Sequence, residues 1–345
     1  MEIWNNIWPY LVAVLLFLVL IIIHEFGHFI AAKLLGVRVN EFAVGFGPKL
    51  FGIKGKETHY KVNLIPLGGY CAMEGEDEES ADERAFCKKR PWRRLIIVAA
   101  GAIFNLIFGL IIVAIILAPG EHFASTTVSQ FRENAVSSSY GLMEGDTIVG
   151  VDGRKIFTTY DLSYAFTGVK DSTVDMVVKR NGEKVMLDDV KFESEQADGI
   201  SYLTVDFYVA PIKKTFGNYV TQTINTTISY CRVIWFSLID LISGKYGISA
   251  MSGPVGVTVA IGNAAKQSLK NILPIIALIT VNLGIFNLLP IPALDGGRIL
   301  FIIFEMIFKK PVPAKWEGII HGVGFALLIG LMLIITAKDI WTLIF

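Results

Sequence analysis

Residues 11–32 read LVAVLLFLVLIIIHEFGHFIAA, an apolar run that is interrupted near its end by His24, Glu25 and His28. The run is nearly unbroken over residues 8–30, and about 20 apolar residues suffice for a helix to cross the hydrocarbon layer of a membrane. This stretch therefore predicts a membrane-spanning helix that carries three ionisable side chains.

The composition supports a membrane protein. Of the 345 residues, 53% are hydrophobic and 18% are charged, which is too apolar for an ordinary soluble domain. With 31 basic and 31 acidic residues the net charge is zero, so nothing favours nucleic acid as a partner. The three cysteines lack the close spacing of metal or redox motifs and are expected to be free thiols. The first apolar run has no basic leader and no small-residue cleavage site, which predicts a retained span rather than a signal peptide.

Three further apolar runs cover residues 95–117, 272–289 and 319–335, which gives four predicted transmembrane helices. Basic residues follow the first run, precede the second, and lie between the third and fourth. Since basic loops stay in the cytoplasm, both termini are expected to be extracytoplasmic.

The segments between the spans differ in character. Residues 37–74 are rich in glycine and partly alternate, which predicts a β-rich loop associated with the cytoplasmic face of the membrane. Seven of the ten residues 74–83 are acidic, which is typical of a solvated loop without a catalytic role. Residues 121–209 have the composition of a soluble domain, with predicted strands at 147–151, 173–179 and 203–208.

Residues 212–243 predict an amphipathic helix on the membrane surface, because their most apolar part is short and contains Asp240. The predicted organisation follows from these segments. It comprises a first membrane domain (1–119), an extracytoplasmic α+β domain (120–210), surface helices with a connector (211–270), and the last two spans (271–345).

His24 and His28 are four residues apart, so a helix presents both imidazoles on one face with Glu25 beside them. Such a pair can bind Zn²⁺, which with an open fourth position lowers the pKa of bound water to about 7. A neighbouring carboxylate can then take the proton. A purely structural polar cluster is the alternative, but ionisable groups in hydrocarbon are costly unless they pair or bind a metal.

The third span ends in the sequence Asn287-Leu-Leu-Pro290-Ile-Pro292-Ala-Leu-Asp295-Gly-Gly297. Two prolines prevent a regular helix and the glycines permit tight turns, which predicts a broken helix that lines a polar cavity. Asp295 arrives on the same side of the membrane as His28 and is the candidate third ligand. The alternatives are that Asp295 only caps a helix, or that His321 is the third ligand; His321 is interpreted mainly as a packing residue.

Several motifs together resemble a known family. They are His24 to His28, Gly45-Phe46-Gly47-Pro48, Gly68-Gly69-Tyr70, Gly253-Pro254-Val255-Gly256, and Asn287 to Gly297. In combination they resemble the site-2 protease family of intramembrane zinc metalloproteases, most closely the bacterial regulator of sigma-E protease (RseP-like) group. The resemblance implies zinc bound by His24, His28 and Asp295, with Glu25 catalytic. It also implies that Asn287, Pro290 and Pro292 contact the substrate.

The soluble segment resembles a PDZ domain, most clearly over residues 140–153, and such domains bind extended peptides by strand addition. Related chains often carry two PDZ domains where one fits here, and Ala102 stands where they commonly have a proline. The resemblance implies a protease of the bacterial cytoplasmic membrane that cuts single-span proteins, such as anti-sigma factors or remnant signal peptides. The alternatives are a non-enzymatic membrane scaffold that presents the PDZ domain and, more weakly, a metal transporter.

Overall fold

Three helices of the described chain are long and apolar enough to cross a membrane, over Trp8–Leu34, Pro91–Leu117 and Lys315–Ile344. They correspond to the first, second and fourth predicted spans. The third predicted span forms a shorter apolar helix, Ile272–Leu288, of 17 residues. At 1.5 Å per residue it measures about 26 Å, slightly less than the hydrocarbon thickness.

The computed structural model describes residues 2–76, 78–197, 200–245, 247 and 251–344. Its helices are α1 (Glu2–Leu34), α2 (Pro91–Leu117), α3 (Thr159–Ala165), α4 (Phe216–Ile242), α5 (Pro254–Gln267), α6 (Ile272–Leu288), α7 (Asp295–Phe308) and α8 (Ala314–Ile344). Its strands are β1 (Val39–Lys54), β2 (His59–Met73), β3 (His122–Phe131), β4 (Thr147–Val151), β5 (Arg154–Lys155), β6 (Thr173–Arg180), β7 (Glu183–Lys191), β8 (Ser194–Ala197), β9 (Ile200–Leu203) and β10 (Phe207–Lys213). The chain divides into two units, Met1–Ile112 with Ile248–Phe345, and Val113–Gly247.

In the first unit, β1 and β2 form an antiparallel hairpin that contacts α1. The predicted short strands are in fact two long ones, and their register shifts repeatedly, so the ribbon is strongly bulged. Apolar side chains such as Leu50, Phe51 and Ile53 are exposed on it. An exposed apolar surface of this kind is typical of a segment that contacts a membrane.

Helices α1 and α2 pack closely because glycines lie where they cross. A Cβ added to Gly27 would lie 2.5 Å from the carbonyl oxygen of Ala100 and 2.9 Å from the Cα of Gly101. Ala31, Ala32, Ile97 and Val98 continue the buried contact toward the end of α1. The close approach brings the backbone of α2 next to the histidine-bearing turns of α1.

The predicted break in the helix is confirmed, but Ile291 and Pro292 of the broken segment line an apolar cavity instead of the predicted polar one. Helix α6 ends at Leu288 and α7 begins at Asp295, so residues 289–294 form an irregular connection. Ala293 within it has a φ of 75°, in the left-handed region. A Cβ on Gly296 would lie 1.8 Å from the carbonyl oxygen of Leu289, so only glycine lets the chain turn back this tightly.

The Gly-Pro-Val-Gly motif starts α5 and is anchored by a buried carboxylate. Asp339 of α8 accepts hydrogen bonds from the N–H groups of Gly253 (2.9 Å) and Gly256 (2.8 Å). The first N–H groups of a helix lack partners within the helix, so this contact satisfies α5 and places the charge of Asp339 at its positive end.

The second unit contains a sheet with the order β10-β3-β4-β6-β7, and β5 pairs with β4. Its core includes Ile148, Phe166, Met176 and Phe192. The predicted strands at 147–151 and 173–179 are confirmed, as β4 and β6.

The predicted strand at 203–208 is confirmed only at its ends, because β9 ends at Leu203, β10 begins at Phe207, and residues 204–206 belong to neither. In this break the carboxylate of Asp206 accepts hydrogen bonds from the backbone N–H and the hydroxyl of Ser137.

A helix within the predicted range 212–243 is confirmed as α4, and it packs against α3. The carboxylate of Asp161 at the start of α3 accepts hydrogen bonds from Ser229 (2.6 Å) and Arg232 (3.0 Å) of α4. Asp240, which is also buried, accepts from Arg154 at 2.8 Å and from Tyr164 at 2.8 Å. The polar face of α4 is therefore paired with the β domain.

We expect Asp146→Asn to destabilise the β domain by about 1.5–3 kcal/mol, the usual loss for hydrogen bonds to a charged group. The side chain of Asp146 is 1% exposed and accepts from Arg180 (2.8 Å) and from the N–H of Met143 (2.9 Å). Hydrogen exchange of β4 and β6 in the full-length protein would measure the effect. The exposed Asp188→Asn is the control.

The same carboxylate predicts a pH dependence. Burial raises the pKa of Asp146, but the hydrogen bonds from Arg180 and Met143 outweigh it and hold the pKa below the ordinary value. The stabilisation is therefore present above the unfolded-state pKa of about 4 and is lost as pH falls through the lower folded-state pKa. Exchange protection that is equal in both variants above pH 5 would contradict this account.

Candidate metal centre

Three side chains from two separate helices meet at one point. Nε2 of His24 lies 3.2 Å from Nε2 of His28, and Oδ2 of Asp295 lies 3.1 Å and 3.3 Å from the two nitrogens. Both histidines are buried, at 8% exposure each. The two histidines are four positions apart in α1, and Asp295 is the first residue of α7.

These distances suit a tetrahedral metal ion. With Zn–N and Zn–O bonds of about 2.0–2.1 Å, neighbouring ligand atoms in a tetrahedron lie about 3.3 Å apart. The triangle formed by His24, His28 and Asp295 has edges of 3.1–3.3 Å. Two imidazoles and one carboxylate are also a donor set that catalytic zinc sites use, with a fourth position left for water or substrate.

The contacts behind the rings decide which nitrogens can bind a metal. Nδ1 of His28 donates to the carbonyl oxygen of Ile97 at 2.9 Å, so in the neutral ring Nε2 holds a lone pair that faces the centre. Oδ2 of Asp295 is buried and has no hydrogen-bond partner among the described residues. Acceptor atoms that converge on one point without donors are the arrangement that a cation satisfies.

Asn105 of α2 is the corresponding neighbour of His24. Its amide lies 3.1 Å from Nδ1 of His24, and its Oδ1 is buried without a hydrogen-bond partner among the described residues. If the amide of Asn105 is turned by 180°, its Oδ1 accepts the proton of Nδ1 of His24. This hydrogen bond gives Oδ1 a partner and fixes the tautomer of the ring. Nε2 of His24 is then also free to bind a metal.

A cavity of about 650 Å³ adjoins the three ligand atoms, and Glu25 lines it. The acidic segment expected to be a solvated loop forms part of its wall, through Glu76, Glu78 and Glu79. Glu76 forms an ion pair with Arg298, one turn after Asp295 in α7. The segment is the predicted loop, with Glu78, Glu79 and Glu83 exposed, but Glu76 also ties it to α7, the helix that begins with Asp295.

The remaining predicted residues lie elsewhere. Asn287 is buried at the end of α6 and donates to the carbonyl oxygen of Leu283, and Pro292 lines a separate apolar cavity beside α8. Within the described residues, neither of them nor Pro290 lines the metal cavity. His321 contacts the backbone of Ala293 instead of joining the ligand cluster.

Sequence reasoning missed the contribution of α2. Ile97, Gly101 and Asn105 are spaced by four residues and present one helical face to the two histidines. Spacing alone could have indicated a common face. What that face touches depends on the crossing of α1 and α2, which the apolar pattern does not specify.

We expect Gly101→Ala to lower the zinc content of the purified protein. An added Cβ would lie 2.4 Å from Nε2 of His28 and 2.8 Å from Cε1 of His24, so both rings must move. Displaced ligands typically cost about tenfold or more in metal affinity. Gly330→Ala is the matched control, because its Cβ would meet nothing within 4 Å. Elemental analysis of both variants provides the measurement, and equal zinc content would contradict the expected crowding.

Comparisons with known proteins place the chain in a family. Residues 12–331 match Peptidase family M50. A provisionally named zinc metalloprotease of Clostridium perfringens is 39% identical over 333 residues, which cover 95% of this chain and 97% of that protein. Zinc metalloprotease RasP of Geobacillus kaustophilus is 27% identical, over 95% of this chain and 96% of the relative. The regulator of sigma-W protease RasP of Bacillus subtilis is 28% identical, over 95% and 97%. The chain therefore belongs to peptidase family M50, the site-2 type of zinc metalloprotease, and is a membrane protein.

Proposed function

We propose that the protein is an intramembrane endopeptidase whose zinc ion is held by His24, His28 and Asp295, with Glu25 as the catalytic base. The convergence of the three ligand atoms to within 3.3 Å is the observation that carries the proposal. The histidines lie in an apolar helix long enough to span a membrane, where ionisable side chains usually serve a function.

When bound, zinc supplies a Lewis acid that polarises the scissile carbonyl group and acidifies water. Glu25 lines the same cavity as the ligands, so its carboxylate is available to take the proton of the attacking water. Its protonated form then returns the proton to the leaving amine, which completes the hydrolysis of the peptide bond. The hydrogen bond from His28 to Ile97 and the contact of His24 with Asn105 fix the two rings during these steps.

We infer four membrane spans, with α6 as the third. Its 17 residues, most of them apolar, fall just short of the usual length for a span. Basic residues cluster after the first span and before the second, which supports cytoplasmic loops, extracytoplasmic termini and a location in the bacterial cytoplasmic membrane.

The proposed substrates are single-span membrane proteins, such as an anti-sigma factor or a remnant signal peptide. The name of the Bacillus subtilis relative, regulator of sigma-W protease, supports the first class. A helical substrate must unwind before it is cut, and the β1–β2 hairpin offers strand edges unpaired among the described residues for strand addition. Asn287, Pro290 and Pro292 remain proposed substrate contacts at the break between α6 and α7.

The β domain of the second unit is proposed to be an extracytoplasmic PDZ domain that binds a peptide. A five-stranded path with a short helix, α3, supports this assignment. A non-enzymatic scaffold built around this domain is the alternative function. The presence of Glu25 in the metal cavity favours the enzyme, because a scaffold requires no base beside paired histidines.

We expect Glu25→Gln to reduce cleavage of a single-span substrate in detergent or liposomes by about 10²–10⁴-fold, the usual contribution of a general base. Zinc content should be unchanged, because the three ligand side chains are intact. Glu83→Gln, which changes an exposed residue, is the matched control. Cleavage at the wild-type rate by Glu25→Gln would contradict the proposed base, and a zinc-free wild type would contradict the proposed metal centre.

A further inference from the structure

His321 of α8 contacts the connection that carries Asp295. Its Nδ1 accepts a hydrogen bond from the backbone N–H of Ala293 at 2.9 Å, two residues before the carboxylate. A backbone N–H can only donate, so Nδ1 is the acceptor. In the connection, by contrast, the N–H groups of Ile291 and Leu294 bond to carbonyl oxygens within the same segment.

Ala293 adopts a conformation that an alanine does not favour. Its φ of 75° lies in the left-handed region, where a Cβ lies too close to the following carbonyl oxygen. Prolines at positions 290 and 292 have no N–H, so few hydrogen bonds are available to hold this backbone in place. A strained residue persists when its surroundings determine its conformation, and the contact with His321 is such a determinant.

Other contacts hold α8 against the same segment. A Cβ added to Gly324 would lie 2.4 Å from the Cβ of Pro292 and 2.8 Å from its carbonyl oxygen. The ring of Phe301 in α7 packs edge-on against His321, with centroids 5.6 Å apart. His321 therefore contacts the connection, which precedes Asp295 in the sequence, and α7, which follows it.

We propose that His321 is a positioning residue of the metal centre, which rests on the proposed function. By accepting from Ala293 it fixes the turn that starts α7 and so directs Asp295 toward the two imidazoles. It does not bind the metal. This role requires a hydrogen-bond acceptor at the position of Nδ1. The amide oxygen of an asparagine can supply that acceptor, and a leucine side chain has none.

The test compares full-length wild type, His321→Leu and His321→Asn, each purified in detergent and loaded with Zn²⁺. The rate of zinc loss to a chelator is measured, together with the visible absorption of the Co²⁺-substituted proteins, which reports the ligand geometry. We expect His321→Leu to lose zinc about tenfold or more faster than wild type, with altered Co²⁺ bands. His321→Asn should remain close to wild type in both measurements.

Two further variants complete the design. Phe325→Leu changes an exposed side chain of the same helix and should behave as wild type. His321→Gln keeps a polar side chain but carries its amide at the position of Nε2, so it should lose zinc as His321→Leu does. It replaces the leucine variant if that protein is not monodisperse.

The outcomes separate the two proposals. Equal zinc retention by wild type and His321→Leu would overturn the positioning role, as would equal impairment of His321→Asn and His321→Leu, which indicates packing alone. In both cases the metal centre itself would stand. A wild-type protein that takes up no zinc would remove the proposed function and the role of His321 with it.

Discussion

In the first unit, three polar side chains must be held together among apolar helices. Moving ionisable side chains into hydrocarbon costs several kcal/mol unless they find partners. His24, His28 and Asp295 meet this condition by facing one another at 3.1–3.3 Å, where a divalent cation can bind all three. The arrangement is demanding because its members come from helices far apart in the sequence.

Helix α2 positions both histidines, although none of the three converging side chains belongs to it. Three residues on one face of α2 make these contacts. Ile97 accepts a hydrogen bond from His28, and Asn105 contacts His24. Gly101, which lies between them, leaves room for both rings. Gly27 on α1 allows the two backbones to approach closely enough for these contacts. Gly27 on α1 and Gly101 on α2 thus allow the two helices to lie close enough for α2 to contact both histidine rings.

Much of this organisation is predictable from the sequence, because it follows from local rules. Helical spacing predicts that His24 and His28 share a face, and the prolines and glycines after Asn287 predict the break before Asp295. Other features depend on tertiary contacts that no local pattern encodes. The sequence predicts an acidic loop but not its ion pair between Glu76 and Arg298, and the strand expected at 203–208 is interrupted at residues 204–206, where Asp206 binds Ser137.

The pairing of α4 with α3 has a consequence for where the β domain ends. Asp161 is buried, and its carboxylate relies on Ser229 and Arg232, which lie beyond the last strand. A fragment that stops after β10 would remove both donors and expose to water the face of α3 that α4 covers. A fragment that keeps these contacts extends through Ile242, and the helix after the sheet is a structural member of the domain rather than a linker.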